Sequence, residues 1–115
     1  MIQFKQYVSP MDKEIAEMVI KAVCQYFDID QQALASDAGA AAVNMRYICF
    51  YLIMENTTIK DYTVGQLFGK SRNAVNYGRR KIEFEKNIYG QSMVNLRSVK
   101  AIANNFEKKY AWLLH

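Results

Sequence analysis

A chain of 115 residues holds one domain at roughly 100 to 200 residues per domain, and leaves no room for a separate catalytic module. Its composition, 51% hydrophobic and 23% charged with five glycines and one proline, excludes the weakly hydrophobic, highly charged make-up of a disordered chain. The net charge of +4 is uneven, with five basic and seven acidic residues over positions 1–60 but ten basic and four acidic over 61–115, so the second half is the one suited to a polyanion.

Scarce glycine and proline and almost no period-two alternation predict an all-α chain. The opening Met1-Ile2-Gln3-Phe4-Lys5-Gln6 lacks the charged-then-apolar order of a signal peptide. Ser9-Pro10-Met11-Asp12 presents a hydroxyl cap, a proline at the first helical position and an acid two residues later, which marks a helix start. Ile15, Met18, Val19, Ala22, Val23 and Tyr26 then form one apolar stripe of helical period. The polar stretch Asp28 to Asp37 is expected to end that helix and lead through a short turn around Gln31 to Leu34. Beyond Ala38-Gly39-Ala40-Ala41-Ala42-Val43, the run Arg46 to Met54 is apolar nearly all round, as befits a central helix. Asn56-Thr57-Thr58 breaks it, and Tyr62 to Phe68 forms a short helix closed by Gly69, a residue suited to a left-handed cap. Ser71 caps a longer helix from about Arg72 to Ile88, Tyr89-Gly90-Gln91 turns the chain, and Val99, Ile102, Ala103, Phe106, Tyr110 and Leu113 line a last helix. The expectation is a single bundle of about five helices over residues 1–115.

Tyr62 to Ile88 has the layout of a helix-turn-helix. At about 100° per residue its second helix turns Val75, Gly78 and Ile82 inward and Asn73, Asn76, Tyr77 and Arg80 outward. The outer residues suit base reading: Asn pairs bidentately with adenine and Arg with guanine, while Tyr offers a flat face and a hydroxyl. Arg72 joins them as a base-reading candidate. Lys70, Ser71, Arg79 and Lys81, with Lys86 further along and Arg46 on the central helix, are the candidates for phosphates, whose contacts position the protein and supply non-specific affinity. Lys81 and Lys86 lie near Glu83 and Glu85 and fit a plain solvated face equally well; Arg72 and Arg80 have no acid four positions away.

The segments Arg46-Tyr47-Ile48-Cys49-Phe50-Tyr51-Leu52, Val64-Gly65-Gln66-Leu67-Phe68-Gly69 and Asn73-Ala74-Val75 to Arg79-Arg80-Lys81-Ile82 together resemble the C-terminal DNA-binding domain of the bacterial replication initiator DnaA. The resemblance covers about residues 14–106. It implies a Trp-repressor-like all-α bundle whose helix-turn-helix sends its second helix into the major groove of double-stranded DNA. Gly65 and Gly69 match the family's turn glycines, and Arg46 a basic residue at the start of its central helix. Three departures limit what carries over. Ser71-Arg72-Asn73 stands where the family has Asp-His-Thr, with one turn residue fewer, so its target sequence does not transfer. The basic loop before the central helix is replaced by Ser36-Asp37-Ala38-Gly39-Ala40-Ala41-Ala42. The initiator's ATPase domain has no counterpart in these residues.

The remaining residues argue against other chemistry. Cys24 and Cys49 have no partner at ligand spacing and read as small core residues of a reducing, cytoplasmic setting, without a metal or other cofactor. Tyr47 to Met54 is far too short for the roughly 20 residues of a membrane span. His115, the one histidine, builds no triad, and Asp12, Glu14 and Glu17 read as solvated charge rather than an acid–base pair; no enzyme or small-molecule substrate is expected. Trp112, Leu113 and Leu114 fold back on the core or, in the minority reading, form a homodimer through the last helix, which would offer two recognition helices to half-sites one DNA turn apart. The function expected is sequence-specific double-stranded DNA binding in replication-initiation control or transcription regulation. The alternative is a protein-interaction module that keeps the fold and has lost DNA, with an exposed apolar patch around Trp112 or Tyr77. RNA binding would require stacked aromatics on an exposed platform, for which Tyr77 alone is thin support.

Overall fold

In the computed structural model, which describes residues 7–88 and Arg97, helix α1 (Pro10–Phe27) starts at its sequence signal: Ser9 Oγ accepts the Asp12 amide at 3.2 Å. Its stripe enters the core through Ile15, Met18, Val19, Ala22 and Val23, with Tyr26 half-buried at its end. Asp28 adopts a left-handed conformation (φ 54°), and the Ile29 amide closes back on the Cys24 carbonyl at 3.0 Å, which satisfies a helix-end acceptor. Asp12 is not merely solvated charge as expected. Its carboxylate accepts from Thr58 Oγ1 at 2.7 Å and from the Thr58 amide at 3.3 Å, latching the start of α1 to the turn after α3.

The expected turn around Gln31 is instead a short helix, α2 (Gln31–Ser36). Asp30 caps it by accepting the Ala33 amide at 2.8 Å, and its one buried residue is Leu34. Six residues are too few for an apolar period to register, so the signal lay in the cap alone. Helix α3 (Ala40–Asn56) also begins earlier than the apolar run, taking in Ala40, Ala41 and Ala42, residues with the best helix propensity. Ile48 through Ile53 are all buried, since α3 packs against α1, α2, α4 and α5. The Asn56 amide and the Thr57 hydroxyl donate to the carbonyls of Leu52 and Ile53 at 2.8 and 2.7 Å and so finish its C-terminus. Burial pushes the Cys49 thiol well up, with nearby Cys24 adding and Arg46 opposing, so it is an inert core residue.

Arg46, a candidate phosphate contact in the sequence, is 5% exposed, and its guanidinium donates to the Leu34 carbonyl at 2.8 Å. It ties α2 to α3 from within. The phosphate contact expected of it is therefore withdrawn: a side chain committed to an interior carbonyl does not reach a ligand at the surface.

Helix α4 (Asp61–Phe68) and helix α5 (Arg72–Ile88) complete an all-α bundle of five helices among the described residues. Gly69 caps α4 in the left-handed conformation (φ 67°), and the Lys70 amide returns to the Gly65 carbonyl at 2.7 Å. The turn lies so close on α4 that a Cβ at Gly65 would stand 2.5 Å from the Lys70 carbonyl oxygen. Val64, Leu67 and Phe68 of α4 and Val75 and Ile82 of α5 close the core, with Phe68 edge-to-face on Phe50 at 5.2 Å. The expected last helix, Trp112 to Leu114 and His115 lie outside the described residues.

Two outcomes test this packing. Gly65→Ala is expected to lower unfolding free energy by about 1 to 3 kcal/mol despite alanine's better propensity, because the clash is with backbone; an unchanged urea midpoint would show that the turn has slack. Arg46→Met is expected to cost about 1 to 3 kcal/mol by leaving the Leu34 carbonyl unsatisfied, while the folded variant keeps full affinity for any polyanion the parent chain binds. A selective loss of that affinity at unchanged stability would return Arg46 to the surface role.

Candidate nucleic-acid interface

Helix α5 is set on the bundle by its inner edge. Val75 is 0% and Ile82 1% exposed, and between them a Cβ at Gly78 would stand 2.2 Å from Cδ1 of Tyr47. Only glycine lets the α5 backbone lie directly on that ring. The opposite edge is turned outward as the periodicity requires: Arg72, Asn73, Tyr77 and Arg80 are exposed, and Asn76 is half-buried.

The start of α5 concentrates positive potential. Ser71 Oγ accepts the Ala74 amide at 3.1 Å, so Ser71 acts first as the helix cap. Lys70 and Arg72 flank that cap, and the first turn carries no acid. Two cations at the positive end of a helix dipole cost stability, and the same field attracts an anion. A carboxylate reaches this end of α5 from the other helix. Asp61 Oδ2 accepts the Asn76 side-chain amide at 2.8 Å. This contact is the main reason its carboxyl sits below the usual carboxylate range; desolvation opposes it, while the Tyr62 amide, Arg72 and Lys60 add to it. Asn76 is thus already bonded across the two helices, and its amide oxygen and second N–H are what it can offer a ligand.

The flanks divide by environment. Arg79 is partly covered, paired to Glu83 at 3.7 Å, and its Nε is buried with no partner. Lys81 holds its ammonium 5.9 Å from the centroid of the Tyr47 ring, within cation–π range. Lys70 is half-buried beside the turn. Of the proposed phosphate contacts, Lys70, Ser71, Arg79 and Lys81 therefore stand around α5, whereas Arg46 lies in the interior. The position of Lys86's side chain falls outside the described residues.

Three residues on or behind this face were not singled out by the sequence reading. Asp61 meets Asn76 from 15 positions away, a distance no local pattern encodes. Tyr47 packs its ring edge-on to Tyr77 at 5.9 Å. Phe84, 58% exposed, was legible, because it continues the Tyr77 row at the seventh residue. Among the described residues no set of three or more His, Cys, Asp or Glu side chains converges to hold a metal, and no helix is long and apolar enough to cross a membrane.

No curated protein matches the sequence. A family model does, over residues 16–82, a span running from the first turns of α1 to Ile82 of α5 and ending short of the resemblance expected out to residue 106. That model describes the bacterial DnaA protein helix-turn-helix, and because the match takes in more than half of the chain, the chain belongs to this family.

Proposed function

We propose that the chain binds double-stranded DNA sequence-specifically through α4 and α5, in the control of replication initiation or of transcription. The observation that carries this reading is the opposition on α5 between the buried Val75–Gly78–Ile82 edge and the exposed edge of Arg72, Asn73, Tyr77 and Arg80. In the family's docking mode the second helix enters the major groove with its first turns against base edges. Arg72 and Asn73 then lie deepest, Tyr77 and Arg80 follow one and two turns later, and Asn76 presents its oxygen and second N–H while one N–H is held by Asp61. Lys70, the Ser71 cap and Lys81 border the helix where phosphates run, with Arg79 held back by Glu83. Because Ser71-Arg72-Asn73 departs from the family, the recognised sequence is this chain's own.

Selection from a random duplex pool, followed by fluorescence anisotropy on the enriched site at two salt concentrations, tests the proposal. Affinity is expected to fall steeply with salt through counterion release. Arg80→Ala or Asn73→Ala is expected to cost about 1 to 3 kcal/mol on the enriched site, and Lys70→Ala to weaken all duplexes alike and reduce the salt slope by about one. Undiminished affinity in both Arg80→Ala and Asn73→Ala would remove the recognition-helix assignment. Absence of duplex binding even at low salt would favour the protein-interaction module instead.

Asp61→Ala separates the two roles of its carboxylate. Loss of a negative charge beside the α5 N-terminus is expected to raise affinity for random duplex, and release of Asn76 to lower discrimination between the enriched site and random DNA. An unchanged ratio of the two affinities would show that Asn76 takes no part in selection.

A further inference from the structure

We propose that the outer face of α5 from Tyr77 to Phe84 is a stacking platform for single-stranded nucleic acid. Tyr77 is 61% and Phe84 58% exposed. Seven residues apart, they stand on one face about 10 Å from each other along the helix. Arg80 and Lys81 lie between them, and with Glu85 these residues line one open cavity of about 350 Å³. Two flat rings separated by two cations are the elements that hold an unpaired strand: the rings take successive bases by stacking, and the cations take the phosphates between them.

Duplex binding leaves Phe84 unexplained. It stands about 18 Å along the axis from the start of α5 at 1.5 Å per residue, well past the first turns that the family's docking mode sets against base edges, and a phenyl ring forms no hydrogen bond with a base edge. An unpaired base, by contrast, offers a π-face whatever its identity. The platform is also partly ordered in advance. Tyr47 supports the Tyr77 ring edge-on at 5.9 Å and holds the Lys81 ammonium over its own face at 5.9 Å, so less side-chain freedom is lost on binding. Glu85 is the one acid of the cavity among the described residues, and its side of the platform is the less favourable for a phosphate. Tyr77 and Arg80 serve the proposed duplex face as well, so the test turns on Phe84, which that face does not use.

The experiment is fluorescence anisotropy of the full chain with labelled oligo-dT and oligo-rU of roughly 15 nucleotides, a length matched to known single-strand sites, beside a random duplex. Salt-sensitive binding of a single strand is expected, and the ratio of dT to rU affinity tells whether DNA or RNA is the preferred source. Phe84→Ala is expected to lower single-strand affinity about tenfold, and Phe84→Leu, which keeps apolar bulk but no ring, to do nearly the same. Duplex affinity should be unchanged in both, with helical circular dichroism confirming the fold. Variants that bind the single strand as tightly as the parent chain would overturn the platform, since charge alone would then hold the strand. Equal losses on single strand and duplex would overturn it too, placing the ring in the duplex interface. No single-strand binding beside intact duplex binding would end the platform and leave the duplex proposal standing; the reverse pattern would do the opposite.

Discussion

The contact between Gly78 and the ring of Tyr47 sets the pose of the helix on which the candidate interface is built. Glycine in a helix interior costs about 1 kcal/mol relative to alanine, and here that cost permits the α5 backbone to lie where a Cβ would collide with the ring. With the backbone so close, Val75 and Ile82 on either side reach the core and become fully buried. The rotational setting of the helix follows, and with it the outward direction of Asn73, Tyr77 and Arg80. The same ring touches Phe50 on its own helix and Tyr77 and Lys81 on α5. One aromatic side chain of α3 therefore couples core packing to the order of two outer side chains.

Electrostatics complete what packing begins. The α5 N-terminus carries Lys70 and Arg72 without an acid in its first turn, an arrangement that opposes the helix dipole by several tenths of a kcal/mol per charge. Asp61 offsets part of this from the start of α4, where its own helix dipole favours it. Asn76, Tyr62, Arg72 and Lys60 all stabilise its charged form. Since the folded carboxyl sits below its ordinary value, the stabilisation is complete above the ordinary carboxylate range and disappears only as the pH falls through the depressed folded value. The clamp is consequently intact throughout the neutral range, and the two helices of the motif are held together there by a hydrogen bond as well as by the turn glycines.

The features legible in the sequence were those with local causes. The Ser9 and Ser71 caps, the Gly69 stop, the α1 stripe and the inward Val75, Gly78 and Ile82 follow from chemistry within a few residues, and each appears where that chemistry places it. Helix α2 was missed because six residues with one buried side chain carry no period, although Asp30 announced its start. Arg46 was misplaced for a different reason. A basic residue at the head of a helix reads as surface, and only the approach of the Leu34 carbonyl, 12 positions away, makes an interior site for it. Asp61 with Asn76, and Tyr47 with Gly78, are likewise products of tertiary approach. Side-chain types named the candidate face, and partners from other helices decide which of those side chains are free to use it.

That division separates the residues that carry the family fold from those that face outward. The residues that fix the motif, Gly65, Val75, Gly78 and Ile82, point inward or into the turn, and changing them acts on stability. Arg72, Asn73, Tyr77 and Arg80 point outward, where substitution away from packed contacts typically alters unfolding free energy by less than about 0.5 kcal/mol. A chain is thus free to replace the first turn of the motif's second helix while the bundle remains unchanged beneath it. The fold shared with the family specifies where the outward face of α5 stands, and the outer residues alone set the chemistry that face presents.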